Sequence, residues 1–168
     1  YGGNYYAIVD PQENFKGVHD FTAGQIIHYS QVVRKRINEK YPDMFVHPED
    51  STIRDVSHML WTGDPLDPIS SGRNAVFYGD KAIDRSPCGT GTSARMAQLY
   101  AKGKLGANEN YIHESLIGSK FIGRIERETT LAGKKDIVPS IQGWAQVTGY
   151  NNIIIDDDDP YAHGFQVL

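Results

Sequence analysis

Cys88 is the only cysteine among 168 residues, and it lies in the run Asp84-Arg85-Ser86-Pro87-Cys88-Gly89-Thr90-Gly91-Thr92-Ser93-Ala94-Arg95. Pro87 discourages helix at Ser86 before it, and the two glycines that follow permit a tight turn. The spacing predicts a helix from Thr92 to about Lys102, with Gly103 as its stop signal. A thiol at the start of a helix lies among the unpaired N–H groups of the first turn, at the positive end of the helix dipole. Such a setting raises a cysteine's thiolate fraction, and the same N–H groups hold a carboxylate or phosphate. The stretch therefore predicts proton transfer or nucleophilic attack by sulfur beside an anion cradle. The competing reading is an inert, buried cysteine, the commoner fate of a lone thiol. Gly89-Thr90-Gly91 has neither the spacing of a dinucleotide fingerprint nor the Gly-Lys-Ser/Thr of a P-loop.

Other elements must hold that turn in place. Residues 4–9 read as a strand, and Gly2-Gly3 ahead of them permits a turn or a close backbone approach. Asp20 or Thr22 is placed to cap a helix over roughly Ala23–Lys40, with Ile26, Ile27, Val33 and Ile37 on its apolar stripe and Tyr41-Pro42 ending it. Val56–Trp61 and Ala75–Tyr78 read as strands. In the helix after Cys88, Ala94, Ala97 and Ala101 fall on one face, and Met96, Leu99 and Tyr100 fill further core-facing positions. A helix apolar on several sides predicts a covering sheet. Beyond Gly103, the runs 111–117, 120–128, 137–147 and 152–155 predict an antiparallel sheet punctuated by glycines. Asp156–Asp159 lacks the alternating ligands, central glycine and final glutamate of a calcium loop, and reads as a solvated turn or strand end.

Composition narrows the function. The length suits one domain with a real core. A net charge of -4 and no basic stripe argue against nucleic acid. No apolar run reaches the length of a membrane span, and no signal-peptide pattern is present. One cysteine allows no internal disulfide, which fits a reducing, cytoplasmic compartment. The first residue is Tyr1 rather than methionine, and the expectation is a fragment, a processed piece or an excised domain.

The run 84–94 resembles the second catalytic-cysteine motif of the proline racemase family, which includes the 4-hydroxyproline 2-epimerases. Tyr1–Val9, Arg73–Gly79, His113–Ser119, Asp156–Pro160 and His163-Gly164-Phe165 are similar to further landmarks of that family, so the resemblance runs along nearly the whole chain. It implies an α/β (α+β) fold of the diaminopimelate-epimerase type, a mostly antiparallel sheet curled around a central helix. It implies that residues 1–168 form the C-terminal lobe of a two-lobed enzyme, with the last strand packing on the other lobe. The implied reaction is cofactor-independent and metal-free inversion at the α-carbon of 4-hydroxyproline by two alternating thiols. Cys88 is then one acid/base thiol, and Gly89 and Thr90 offer main-chain N–H groups to the substrate carboxylate. Asp84 faces the substrate ammonium, and His58 contacts the substrate. The family's other thiol comes from a Met-Cys-Gly-His stretch in an N-terminal lobe, and no second cysteine stands here. That lobe is the implied partner, besides the small-molecule substrate, and the resemblance admits a homodimer. Proline racemase, trans-3-hydroxyproline dehydratase, a cysteine hydrolase and a non-catalytic fragment stay open as alternatives. For Asp84 alone, a turn or cap role competes with ligand binding.

Overall fold

A computed structural model describes residues 1–165. In chain order the elements are β1 (Tyr5–Val9), α1 (Ala23–Lys40), β2 (Val56–Gly63), β3 (Gly72–Tyr78), β4 (Ala82–Ile83), α2 (Gly89–Ala101), β5 (Asn110–Glu114), β6 (Lys120–Leu131) and β7 (Lys134–Gln142). The strands form one sheet in the order β1-β2-β3-β5-β6-β7, with β4 paired to β3. Most pairings are antiparallel, as expected; β1–β2 and β3–β5 are parallel. A parallel pair needs a long crossover, and α1 with its following loop supplies one while α2 supplies the other.

Strand alternation sorts the two helices onto opposite faces of the sheet. Met59, Trp61, Ala75 and Phe77 face α1 and form a core with Ile26, Phe15 and Val18. The α1 start is set by Thr22 rather than Asp20: its hydroxyl accepts from the Gln25 N–H at 3.3 Å while Gln25 Oε1 accepts from the Thr22 N–H at 2.9 Å. Trp61 donates its indole N–H to the buried Ser30 hydroxyl at 2.8 Å, which fixes α1 on the sheet. The opposite face carries Tyr6, Ile8, His58, Leu60, Asn74 and Val76, and it faces α2.

Both edges of the sheet reach α2. The helix packs against β1 at one edge and against β6 and β7 at the other. Met96 lies among Leu105, Tyr111, Ile125 and Ile137, with Ala97, Leu99 and Tyr100 beside it. The expected sheet curled around a small-residue helix is thus present. Gly123 brings β6 close to α2: a Cβ there would lie 2.3 Å from Met96 Sδ.

Three expectations need correction. The helix begins at Gly89 rather than Thr92, because Cys88 itself is its N-cap. β6 and β7 run to a hairpin whose turn residues Ala132 and Gly133 both have positive φ, 47° and 76°, the requirement of a type I′ turn. Residues 144–147 and 152–155 form no strand, although their composition is strand-like. A strand needs a hydrogen-bonding neighbour, and among the described residues none lies alongside the segment after Gln142; Val147, Ile153 and Ile154 are 77%, 86% and 86% exposed. Asp156 caps a turn, with its Oδ1 accepting from the Asp158 N–H at 3.0 Å. Among the described residues no helix is long and apolar enough to cross a membrane.

Candidate active site

The sulfur of Cys88 is held by its own helix. The residue has φ 65° and ψ 123°, an unfavourable backbone for anything but glycine, and its Sγ accepts from the Gly91 N–H at 3.4 Å. Gly91 packs tightly here: an added Cβ would lie 3.2 Å from both Val76 Cγ2 and Cys88 Cβ, so those neighbours would have to give by a few tenths of an ångström. The Thr92 N–H bonds the Cys88 carbonyl at 2.8 Å. Among the described residues the N–H groups of Gly89 and Thr90 have no partner. Two free amide donors therefore stand beside a half-buried thiol at a helix N-terminus, the arrangement that favours a carboxylate.

Side chains from distant elements fix this turn. Asp84 Oδ1 accepts from both the N–H and the hydroxyl of Ser86, at 2.8 and 2.9 Å. Ser86 Oγ in turn accepts from the Cys88 N–H at 3.0 Å. Asp84 is therefore a turn residue through one carboxylate oxygen, and among the described residues its Oδ2 is not engaged. On the buried side, Asn74 donates to the Pro87 carbonyl at 2.8 Å and lies 3.3 Å from His113 Nδ1. The Thr92 hydroxyl is 3.0 Å from the same nitrogen. The Thr92 hydroxyl also donates to the Pro87 carbonyl at 3.4 Å, and among the described residues the buried His113 Nε2 has no hydrogen-bond partner.

His113 is fully buried, and burial, aided by the charge of Arg95, pushes its pKa down to about 3. It stays neutral at ordinary pH. The unfolded chain protonates this imidazole near its usual 6.5 and the folded chain near 3, so its contribution to stability is complete above pH 6.5 and is lost as pH falls toward 3. Unfolding free energies from urea titrations should fall between pH 6 and 4, by about 1.4 kcal/mol per pH unit from this group. His113→Gln should flatten that slope, and an unchanged slope would refute the assignment.

Tyr6 was not expected. Nothing in a Tyr-Tyr pair on a strand says which ring meets a ligand. Alternation sends Tyr6 toward α2, where its hydroxyl lies 3.3 Å from Cys88 Sγ and 2.7 Å from Thr90 Oγ1. Burial, then the bond to Cys88, raises its pKa, so the phenol keeps its proton. His58 is its register partner on β2, with ring centroids 5.0 Å apart, and Tyr78 stacks on His58 at 6.4 Å. Burial first, then the nearby Arg34 charge, lowers the pKa of His58, while Asp84 opposes them. The structure thus brings Cys88, Gly89, Thr90, Asp84 and His58 to one side of the sheet at the start of α2. Tyr6 stands between His58 and the sulfur. A cavity of about 430 Å³ lies elsewhere, lined by Arg73, Arg95, Lys104 and Tyr111, and it does not include Cys88.

A sequence profile described as proline racemase matches residues 1–166. The chain belongs to the proline racemase family. Among relatives of this family, a 4-hydroxyproline 2-epimerase of Spirosoma linguale is 62% identical over 168 residues, covering 100% of this chain and 50% of that protein. A 4-hydroxyproline 2-epimerase of Brucella suis biovar 1 is 64% identical over 167 residues, covering 99% of this chain and 50% of that protein. The crystal structure of a hydroxyproline epimerase from Agrobacterium vitis with bound trans-4-hydroxy-L-proline superimposes with a TM-score of 0.79 at 30% identity, covering 99% of this chain and 47% of that one. A probable proline racemase from Agrobacterium radiobacter K84 with bound carbonate gives 0.79 at 33%, covering 99% of this chain and 48% of that one. The chain spans about half the length of these proline racemase family members.

Proposed function

We propose that this chain supplies one half of a two-thiol site that inverts the α-carbon of 4-hydroxyproline. The observation that carries the reading is a half-buried sulfur at a helix N-terminus beside two unpartnered amides. The trans-4-hydroxy-L-proline bound to the Agrobacterium vitis enzyme, an imino acid, is the kind of molecule such a cradle suits. Its carboxylate accepts from the Gly89 and Thr90 N–H groups. Its ring ammonium is attracted by the free oxygen of Asp84, and His58 lines the far side. Cys88 as thiolate removes the α-proton; as thiol it returns one. The amides hold the carboxylate where negative charge accumulates as the C–H bond breaks, which lowers the barrier. A proton must arrive on the opposite face, and this chain has one thiol. The second comes from a partner half that also covers the extended segment after Gln142, where Trp144, Val147, Ile153, Ile154 and Phe165 lie exposed. We place this chain, on that basis, as the C-terminal lobe.

Polarimetry on trans-4-hydroxy-L-proline tests the half-site. The isolated chain should show no loss of optical rotation, and adding a segment that carries the second cysteine should restore it. Turnover by the chain alone, at the rate of a double-length relative, would overturn the proposal. Parallel assays with L-proline separate an epimerase from a racemase.

A further inference from the structure

The three polar atoms at the start of α2 form a closed triangle: Tyr6 Oη to Thr90 Oγ1 at 2.7 Å, Tyr6 Oη to Cys88 Sγ at 3.3 Å, and Thr90 Oγ1 to Sγ at 3.5 Å. We propose that Tyr6 is the positioning residue of Cys88, its hydroxyl reversing hydrogen-bond direction so that thiolate and thiol are both satisfied in one place. The proposal rests on the acid/base reading of Cys88 given above.

A thiolate is only an acceptor, and the triangle then holds two hydroxyl protons. Sending them Thr90→Tyr6→Sγ uses the two shorter edges and leaves the longest unused. The Gly91 N–H adds a further donor to the sulfur. After the sulfur takes the proton from the α-carbon, it becomes a donor. The order then runs Sγ→Tyr6→Thr90, and the Thr90 proton is freed to turn outward toward the bound carboxylate. Tyr6 takes part in both short contacts and in both directions. No proton leaves the triangle during the reversal; only hydroxyl torsions change. A phenol is suited to this role, since it donates and accepts through one oxygen on a rigid ring. That ring is located by β1 and by its packing on His58. The other titratable groups facing it are Asp84, from the loop before α2, and His58 on β2, with Tyr78 of β3 beyond.

The test is iodoacetamide alkylation of Cys88 in this chain, followed by mass spectrometry across pH, for the unaltered chain, Tyr6→Phe, and a chain carrying 3-fluorotyrosine at position 6. Losing a donor to the sulfur should raise the pH of half-maximal alkylation by about half to one unit in Tyr6→Phe. The plateau rate at high pH should stay within about twofold, because it depends on access rather than on the hydrogen bond. The fluorinated phenol, a stronger donor with the same shape, should move the midpoint the other way. If Tyr6→Phe fails to fold by circular dichroism, the fluorotyrosine arm decides alone. An unmoved midpoint, or a change confined to the plateau, makes Tyr6 a packing residue and overturns the proposal. The readout uses no substrate. A chain that shifts as expected yet shows no epimerisation even when combined with a segment carrying the second cysteine would separate this inference from the reaction assigned above.

Discussion

Cys88→Ser is expected to lower epimerisation by about 10²- to 10⁴-fold, the usual range for removing a general acid/base, in the protein combined with its second half. The substitution is chosen because it changes chemistry and little else. Serine is among the preferred N-cap residues, so its oxygen can take over the Gly91 N–H that the sulfur now accepts. The strained backbone at φ 65° is unchanged. The Ser86 and Asn74 contacts involve main-chain atoms of Cys88 and Pro87 and survive the change. An alkoxide forms far less readily than a thiolate, so proton abstraction fails while the fold stands. Polarimetry should show the loss and thermal melting should not move. A variant retaining a tenth or more of its turnover would sink the assignment of Cys88 as an acid/base.

Gly2→Ala is the largest effect expected from a residue with no functional group. A Cβ at Gly2 would lie 2.3 Å from the Thr90 carbonyl oxygen and 2.4 Å from the Ala94 nitrogen. Both are main-chain atoms of the first turns of α2, so no side-chain rotation relieves the overlap. Either the segment before β1 lifts off or α2 moves. Overpacking of this kind costs about 1–3 kcal/mol, which for a chain of this size lowers the melting temperature by about 3–10 °C. Either displacement also separates Tyr6 on β1 from Cys88 and Thr90 on α2, and turnover of the chain combined with its proposed second half should fall at least about tenfold for a misplacement near 1 Å. Gly24→Ala is the matched control. A Cβ there meets nothing within 4 Å, and the helical position gains about 0.5–1 kcal/mol. Equal melting temperatures and equal activity for both variants would show that the close approach of Gly2 to α2 carries nothing.

The features legible from sequence are those written in neighbouring residues. The proline, the cysteine and the glycines mark the start of α2 within one short run. Thr22 stood beside Asp20 as a cap candidate for α1, and the exchange with Gln25 that decides for it is local. Gly2 and Gly3 signal a close approach, although not its target. The missed features are long-range. Tyr6 meets Cys88 across a sequence separation of 82 residues, and Asn74 meets His113 across 39. His113 stood inside a run that marked the family, yet no local pattern links an imidazole on β5 to a carbonyl before α2. The segment 152–155 misled in the opposite sense. Its Ile-Ile-Ile run has strand propensity, but propensity does not provide a neighbouring strand.

The first and last edges of the sheet both pack on α2, so the site draws its supports from the two ends of the ordered sheet. The helix start is a local event, but the oxygen that meets its sulfur arrives on the first strand, and the helix is seated only when the last hairpin packs over Met96. Pairings so distant along the chain form late, because loop closure must come first. Amide exchange in β1 and β7 should accordingly report on the same opening event that exposes Cys88 to alkylating reagents.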